Sequence, residues 1–582
     1  MKPVRITRLL PLIAAFLVVV LLPASASAHA VLESSAPTRG QVLKVAPEQV
    51  TFEFNEPVEA SFGALRVFDT EGEQVQSGEV FRPGESDHGI GVAVPDDLAD
   101  GTYTATYRVV SADAHPVSGG LVFTVGKDGG VSDRTISELI AASDSGPVTG
   151  AAFWFDRWVG FLAIALAVGS LAFLVLLWSP MTARRSGLLA PRAEETGRRL
   201  KLILGVAVAA GLVSTILAIL FQGAIAAGTD FWTALKPEVF HEVVDTRFGM
   251  VMVLRMLSWL SLIPLVLLAT GLVGRSDRRF GSTILFSILT AGFLVISPGL
   301  AGHASTQAPV WLLFPSDVLH VAAMSVWAGG LAALIFLLPV ATRGLGSGSD
   351  RSLVLTDFLL RFSTVALACV IVIAATGTIQ AIVEVNSFTA LVDTAFGRAV
   401  SIKILLFLIL VTLGAKNRRR IIPALVARRG KGEGPGRSGV LARNNLRLEV
   451  VLVTVVLAVA AALVSYPPPS TGGVGPVSGS VTTGPDLLEY TVDPARVGRN
   501  EVHLYLFDNS TGAPVEVKSV QLSFSLPDSD IAPIEADLRK SGPGHYVAPA
   551  AELAVKGDWK AQAAVRLSRF DEVLADFEVP VK

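Results

Sequence analysis

Cysteine is almost missing from this 582-residue chain, since Cys369 is its single example, and an intramolecular disulfide bond is therefore excluded. Charge is also scarce, because only 17% of the residues are Asp, Glu, Lys or Arg, against about 25% in average soluble domains. Hydrophobic residues make up 51% of the chain. The formal net charge of −2 gives no reason to expect a nucleic acid as a partner. The composition therefore predicts a protein of the lipid bilayer whose exported parts are stabilised by packing alone.

The amino terminus has the pattern of a secretory signal peptide over residues 1–28. A basic start is followed by an apolar run from Leu9 to Leu22 and by the small residues Ala26-Ser27-Ala28. Cleavage after Ala28 would make His29 the first residue of the mature protein. The α-amine and the ring of a terminal histidine can chelate one metal ion through two nitrogens.

A second pair of metal-ligand residue types lies in Ser111-Ala112-Asp113-Ala114-His115-Pro116. On an extended strand, Asp113 and His115 point to the same side because they are two residues apart. With His29 they offer three nitrogens and a carboxylate, which suit the tetragonal coordination that Cu(II) prefers. Binding requires deprotonation of the amine and the imidazoles, so the affinity should fall in acid. The alternative is a chance terminal histidine and an ordinary Asp-His-Pro turn.

Two regions alternate between hydrophobic and polar residues and contain frequent Pro and Gly turns, as β-strands do. They cover residues 29–126 and 486–582. Each is predicted to be a β-sandwich, the first of cupredoxin-like or Ig-like type. Linkers at 127–150 and 467–485, rich in Gly, Ser and turn-forming residues, connect them to a membrane domain at 151–466.

The membrane domain contains eight apolar segments of about the ~20 residues that a helix needs to cross a bilayer. They lie at 152–178, 202–224, 247–270, 281–300, 316–340, 360–382, 397–415 and 449–466. Arg and Lys are concentrated after the first, third, fifth and seventh segments, which the positive-inside rule assigns to the cytoplasm. Both β-domains should then lie outside the cytoplasmic membrane. The basic connections contain no Gly-rich phosphate loop, which argues against ATP coupling within this chain.

The membrane domain also repeats itself in one orientation. Asp245-Thr246-Arg247-Phe248-Gly249, followed by Arg255, matches Asp393-Thr394-Ala395-Phe396-Gly397, followed by Lys403. Gly169-Ser170-Leu171-Ala172 matches Gly329-Gly330-Leu331-Ala332 in the same way. We therefore predict an α-helical bundle of two parallel four-helix repeats, an arrangement that favours a site between the halves.

Several of these motifs resemble known families. His29-Ala30, Phe54-Asn55-Glu56-Pro57 and Asp113-Ala114-His115-Pro116 resemble the CopC copper-binding domain. The membrane segments resemble the CopD membrane protein, chiefly through Asp317, His320, Trp327-Ala328-Gly329-Gly330-Leu331, Arg361-Phe362-Ser363, Phe396-Gly397 and Lys403. The tail resembles the YtkA-like β-domain through Gly542-Pro543-Gly544-His545-Tyr546 and Gly557-Asp558-Trp559. The combination resembles the YcnJ-like CopC–CopD fusions of copper resistance and uptake.

The resemblance implies an external Cu(II) site made by His29 through its amine and ring, by the ring of His115, and by Asp113 as the carboxylate partner. Methionine is absent between Lys2 and Pro180, unlike in Met-rich relatives, so the separate Cu(I) site of those relatives is not expected. His88 is expected to be a loop residue.

The membrane candidates are His303, at the end of the fourth segment, and Asp317 and His320, on one face at the start of the fifth. Ionisable groups within spans are costly and usually face a cavity or a partner. We therefore expect these three residues to line a copper path, for Cu(I) or Cu(II). A polar network that fixes the helix ends is the alternative.

Arg255 and Lys403 occupy matching positions in their segments. They should pair with Asp156, Asp317 or Glu449, or extend towards the outer interface. Other metal-ligand residue types receive structural interpretations: packing for Met250, Met252, Met256 and Cys369, and structural or partner-binding roles for His503 and His545. His241 lies before the third segment, where it could receive metal from the domain of His29 or belong to an interfacial amphipathic helix.

Three functions follow from this pattern. The first is capture of Cu(II) outside the cell and copper transport across the membrane, as import. The second is sequestration for resistance, or delivery to an external copper chaperone or cuproenzyme, without translocation. The third is oxidative cleavage of polysaccharide by a terminal-histidine copper centre, which Asp113 disfavours by crowding the metal. We expect a transporter and not an enzyme.

Overall fold

A computed structural model describes a large part of the chain. The described residues are 30, 32–38, 41–59, 64–111, 116–126, 145–272, 278–385, 388–466, 468, 477–484, 486–493, 495, 497–508, 514–527, 529, 531–542, 544–568 and 571–581. The predicted signal peptide and the predicted external ligands His29, Asp113 and His115 lie outside these residues.

The first β-domain consists of two four-stranded sheets. Its strands are β1 (Leu32–Ala36), β2 (Val42–Leu43), β3 (Gln49–Phe54), β4 (Leu65–Phe68), β5 (Ser77–Phe81), β6 (Gly89–Ala93), β7 (Gly101–Val110) and β8 (Pro116–Val125). The sheet orders are β1-β3-β6-β5 and β2-β8-β7-β4. Val50, Phe52 and Phe54 alternate inward along β3, and the Phe52 ring packs 4.9 Å from that of Tyr107. The period-two pattern of the sequence thus places a continuous apolar core between the sheets.

The tail β-domain is a second sandwich. Its strands are β9 (Val477–Thr483), β10 (Asp486–Asp493), β11 (Gly498–Asp508), β12 (Ser519–Ser525), β13 (Ile534–Ala536), β14 (Arg539–Gly542), β15 (His545–Leu553), β16 (Gly557–Arg566) and β17 (Glu572–Val581). They form sheets of order β14-β15-β11-β10-β9 and β13-β12-β16-β17. Val502, Leu504 and Leu506 of β11 point into a core that also contains Phe524 and Trp559.

The described residues of the membrane domain form helices joined by short turns. Its main helices are α1 (Gly146–Arg184), α2 (Ala193–Ala227), α3 (Arg247–Ser261, continued by Ile263–Leu272), α4 (Arg278–Leu300), α5 (Val310–Thr342), α6 (Gly348–Val385), α7 (Ala395–Lys416) and α8 (Gly436–Leu463). Each contains one of the eight predicted segments, apart from a few residues at their ends. Seven of them, within the described residues, are long and apolar enough to span a bilayer, and the corresponding stretch of α4 is the shorter Leu285–Leu300.

Shorter helices connect the main ones. They are Ser186–Leu189, Ala190–Arg192, Thr233–Leu235, Pro237–Asp245, His303–Ser305, Ala390–Asp393, Asn417–Ile421 and Ile422–Gly430. A short helix therefore precedes both α3 and α7, and His241 lies exposed on the first of these, Pro237–Asp245, as the predicted interfacial helix requires.

The two predicted repeats begin their third helices in the same way. Thr246 caps α3 by accepting a hydrogen bond from the Gly249 amide at 3.0 Å, and Thr394 caps α7 through the Gly397 amide at 2.9 Å. A side chain at Gly249 or Gly397 would collide with the backbone of the preceding short helix. The matched Thr and Gly residues thus perform the same local task in both halves.

The halves meet where their matched glycines cross. A Cβ atom on Gly169 of α1 would overlap the backbone of Gly329 of α5, and one on Gly329 would overlap the Ala165 carbonyl. Equivalent positions of two repeats contact each other only near the axis that relates them. The structure therefore confirms the two-repeat bundle predicted from the sequence and places α1 and α5 at its centre.

Candidate functional site

The second half of the bundle gathers ionisable side chains near the start of α5. Asp317 and His320 lie on α5, Glu384 lies at the end of α6, and Lys403 lies in the first half of α7. Lys403 interacts electrostatically with Asp317 and with Glu384, and all four side chains are half-buried within the protein. We call these residues, together with Thr376 of α6, the second-half cluster.

The orientation of His320 is set by Thr376. The Nδ1 atom of His320 lies 3.0 Å from Oγ1 of Thr376, whose hydroxyl donates to the Val372 carbonyl at 2.7 Å. A hydroxyl has one proton, so Thr376 accepts from Nδ1–H of His320. In the neutral ring, the lone pair is then on Nε2, which is the arrangement of a histidine prepared to bind a metal ion.

Two glycines make room for this cluster. A Cβ atom on Gly377 would lie 3.3 Å from Cε1 of His320, and one on Gly299 would lie 2.6 Å from Oδ2 of Asp317. Close approach of a side chain to a helix backbone requires such positions. The imidazole and the carboxylate are therefore held between α5 and its neighbours α6 and α4.

The first half has the same scaffold with different side chains. Gly160 precedes Gly169 by nine residues, as His320 precedes Gly329, and a Cβ atom on Gly160 would lie 2.8 Å from Oγ of Ser214. Ser214 donates to the Asp156 carbonyl at 3.1 Å, in the place where Thr376 bonds His320. The first half therefore has no imidazole at this position.

An acid and a base that influence each other electrostatically recur in both halves. Asp156 of α1 interacts electrostatically with Arg255 of α3, and Nε of Arg255 donates to Ser297 at 2.8 Å. Asp317 interacts with Lys403 in the second half. Both cations thus interact electrostatically with the predicted partners Asp156 and Asp317, but among the described residues neither cation forms a salt bridge with them. Glu449, the third predicted partner, accepts a hydrogen bond from Asn417 at 2.6 Å instead.

His303 occupies a different environment from Asp317 and His320. It lies in the turn His303–Ser305 between α4 and α5, and its ring packs edge-on against Phe396 at the start of α7, with 6.4 Å between ring centroids. Across the described residues, no three side chains of His, Cys, Asp or Glu come together closely enough to hold a metal ion. Within the described residues, His303, Asp317 and His320 therefore do not form one three-ligand centre.

The sequence-based interpretation missed Glu384 and Thr376. Glu384 lies two residues beyond the predicted end of its segment at 382, so the hydropathy pattern places it outside the membrane. Thr376 lies inside the apolar run, where a threonine usually bonds its own helix backbone. The glycine that follows it is the one signal in the sequence for a close neighbour.

The packing predicted for Cys369 and Met252 is confirmed, but that predicted for Met250 is not. Cys369 and Met252 are buried in apolar cores, whereas Met250 is 61% exposed on the protein surface. His88 is a loop residue whose Nδ1 lies 3.1 Å from the Phe54 carbonyl.

The described residues next to the predicted external ligands include buried positions of the first β-domain. Ala30, next to His29, is 5% exposed and belongs to the same apolar core as Val109. Ser111, which precedes the Asp113 motif, is 1% exposed, and β8 begins at Pro116 directly after His115.

Comparison with known families follows this architecture region by region. The CopC domain matches residues 32–126, the copper resistance protein D-like N-terminal domain matches 148–312, copper resistance protein D matches 356–463, and FixH matches 488–574. Fold and matches together define a multi-pass membrane protein of copper transport and resistance.

The chain is similar to three known proteins that match different parts of it. The copper transport protein CutJ of Bacillus subtilis (strain 168) is 28% identical over 96% of this chain and 96% of its own length. The inner membrane protein YebZ of Escherichia coli (strain K12) is 25% identical over 46% of this chain and 84% of its own length. Protein YobA of the same Escherichia coli strain is 31% identical over 19% of this chain and 90% of its own length. The chain thus combines CopC, copper resistance protein D and FixH domains and is similar to CutJ over nearly its whole length.

Proposed function

We propose that this protein captures Cu(II) outside the cytoplasmic membrane and transports copper inward through the second-half cluster. The observation that carries the proposal is the asymmetry of the bundle, in which His320 stands where the first half has Gly160. An ionisable group is costly in a membrane unless it has a task there. The copper transport protein CutJ, similar over nearly the whole chain, supports copper as the cargo.

Capture is assigned to the first β-domain, with His29, Asp113 and His115 as the Cu(II) ligands. The arginine-rich connections follow α1, α3, α5 and α7, so the ligand domain and the second-half cluster both belong to the opposite, external side. The tail domain shares that side. An external copper chaperone or cuproprotein is the kind of partner from which the first β-domain would take its metal.

Within the membrane, Nε2 of His320 is the proposed ligand for copper. Asp317 and Glu384 supply negative charge that offsets the charge of the entering ion, which bare lipid would exclude. Lys403 neutralises these carboxylates before copper arrives, and its positive charge is repelled when copper binds. Copper and the Lys403 ammonium would thus alternate at one pair of carboxylates, with no catalytic reaction in the cycle.

Uptake into sealed vesicles tests this proposal. The full-length protein is reconstituted with a copper indicator inside, and initial rates are compared for wild type, His320→Ala and Ser214→Ala. Ser214→Ala is the matched control, because it alters the corresponding contact of the first half. We expect an uptake rate about tenfold lower for His320→Ala, equivalent to about 1.4 kcal/mol in the barrier, and a normal rate for the control. Copper that binds to the wild type without entering the vesicle would favour sequestration or delivery and contradict transport.

The external site has its own test. An additional residue before His29 converts the terminal amine into an amide and removes one chelating nitrogen. We expect the mature protein to bind one Cu(II) at this domain and the extended form to bind it much more weakly, as measured by titration. Equal binding by both forms would contradict the terminal-histidine site while leaving the membrane pathway to the vesicle assay.

A further inference from the structure

The tail domain brings together the two histidines that it contains. His503 lies on β11 and His545 on the neighbouring strand β15, where Tyr505 is opposite His545 and His503 is opposite Val547. Residues opposite each other, and residues two apart, share one face of a sheet. His503, Tyr505 and His545 therefore lie on the face turned away from Val502 and Leu504, which fill the core.

The rings of these histidines are in direct contact. Nδ1 of His503 lies 3.1 Å from Nε2 of His545, and the two ring planes differ by 18°. The Tyr505 ring stacks on His545, with 4.2 Å between centroids and 9° between planes. His503 is fully buried, so this contact is not one between mobile surface side chains.

From this geometry we propose that His503 and His545 form a second copper site, separate from the external site of the first β-domain. Metal–imidazole bonds are about 2.0–2.1 Å long, so two nitrogens on one ion are about 2.9 Å apart at a right angle and about 3.4 Å apart at the tetrahedral angle. The observed separation lies between these values. A metal ion can therefore replace the shared proton with rotation of the rings and little movement of the strands.

The donor set selects the class of metal. Neutral imidazoles suit copper and zinc, whereas Mg²⁺ and Ca²⁺ require oxygen ligands. Copper is the ion chosen here because the inference rests on the proposed function of copper transport. Among the described residues, no further carboxylate, thiol or imidazole completes a group of three with this pair. The remaining coordination positions are then left for water or for a ligand of a donor protein, as metal exchange requires.

Metal stoichiometry of the full-length protein in detergent tests the site. The background is His115→Ala, which removes the external ligand, and it is compared with the double variant His115→Ala/His545→Gln after dialysis against Cu(II). We expect the double variant to lose one copper per chain, together with nitrogen couplings in the electron paramagnetic resonance spectrum. Tyr505→Phe in the same background keeps the ring stack and should keep this copper.

A second measurement avoids substitution within the tail. Acylation of His545 by diethyl pyrocarbonate is followed by mass spectrometry, and Cu(II) at one equivalent above the external site should slow it at least tenfold. Unchanged stoichiometry in a folded His545→Gln variant, no protection by Cu(II), or protection by Zn(II) alone would overturn the copper site. Vesicle uptake separates the two proposals. Copper uptake that depends on His320, with no copper bound at His503 and His545, overturns only this inference. Copper bound at these two histidines without uptake overturns only the transport proposal.

Discussion

The first half of the membrane bundle, α1–α4, and the second half, α5–α8, differ most at the positions that precede their contacting glycines. Both halves cap their third helix with threonine and place an acid of the first helix against a base of the third. His320 occurs in the second half at the position where the first half has Gly160. Features common to both halves therefore identify the scaffold, and features of one half identify the site. This distinction can be tested position by position.

The largest effect is expected where the halves touch. Gly329→Leu would force a side chain into the backbone of α1 at Ala165 and Gly169, and a rigid helix pair cannot yield there. We expect a loss of about 3 kcal/mol or more, seen as a collapse of the thermal transition in detergent or as loss of folded protein. Gly292→Ala is the control, because a Cβ atom there meets nothing within 4 Å. Wild-type stability of Gly329→Leu would show that the halves do not meet at these glycines.

The next comparison separates the two acids. Asp317→Asn removes a charge from the second-half cluster, whereas Asp156→Asn removes the charge that interacts with Arg255 in the first half. We expect the copper uptake rate into vesicles to fall about tenfold for Asp317→Asn, which corresponds to about 1.4 kcal/mol, and by less than about twofold for Asp156→Asn. Equal losses in both variants would mean that the acid–base pairs serve structure alone, or that copper uses both halves.

The sequence predicts the common scaffold better than the site. Hydropathy locates the helices, and the two Thr-x-Phe-Gly motifs reveal the repeat because capping and close packing leave local residue patterns. Asp317 and His320 are detectable because ionisable residues are rare in an apolar segment. Glu384 and the His503–His545 contact are not detectable, since the first depends on where a helix ends and the second on a strand register linking residues far apart in the chain. Pairing of this kind is a tertiary property.

A smaller difference, in the stability lost by variants of the two halves, is expected at the arginine-rich end of the bundle. Asp357 of α6, with a side chain 18% exposed, accepts from Arg185 at 3.1 Å and from Arg429 at 2.6 Å. Glu195, at the matching place in α2, makes exposed pairs with Arg198 and Arg199, each at 3.5 Å. We expect Asp357→Asn to cost about 1–2 kcal/mol, discounted because both arginines are about one-third exposed, and Glu195→Gln to cost less than about 0.5 kcal/mol.

Thermal unfolding in detergent at low and high salt measures this difference. The Asp357→Asn deficit should largely persist at high salt, because the carboxylate is mostly shielded from solvent, and the small Glu195→Gln effect should vanish. Equal deficits for the two variants would show that Asp357 is no more important to the fold than an exposed acid of the first half.

The smallest loss of stability is expected from removing the helix caps, and it should be the same in both halves. Thr246→Ala and Thr394→Ala each remove a hydroxyl that accepts from a first-turn amide, at 3.0 and 2.9 Å, and each should cost about 1 kcal/mol. Thr→Ser at either position retains the hydroxyl and should restore most of that loss in a thermal unfolding measurement. Neither alanine variant should alter uptake beyond its effect on the amount of folded protein, because neither threonine belongs to the second-half cluster. A selective loss of uptake in Thr394→Ala would place the start of α7 in the pathway and extend the asymmetry of the halves to a feature of the shared scaffold.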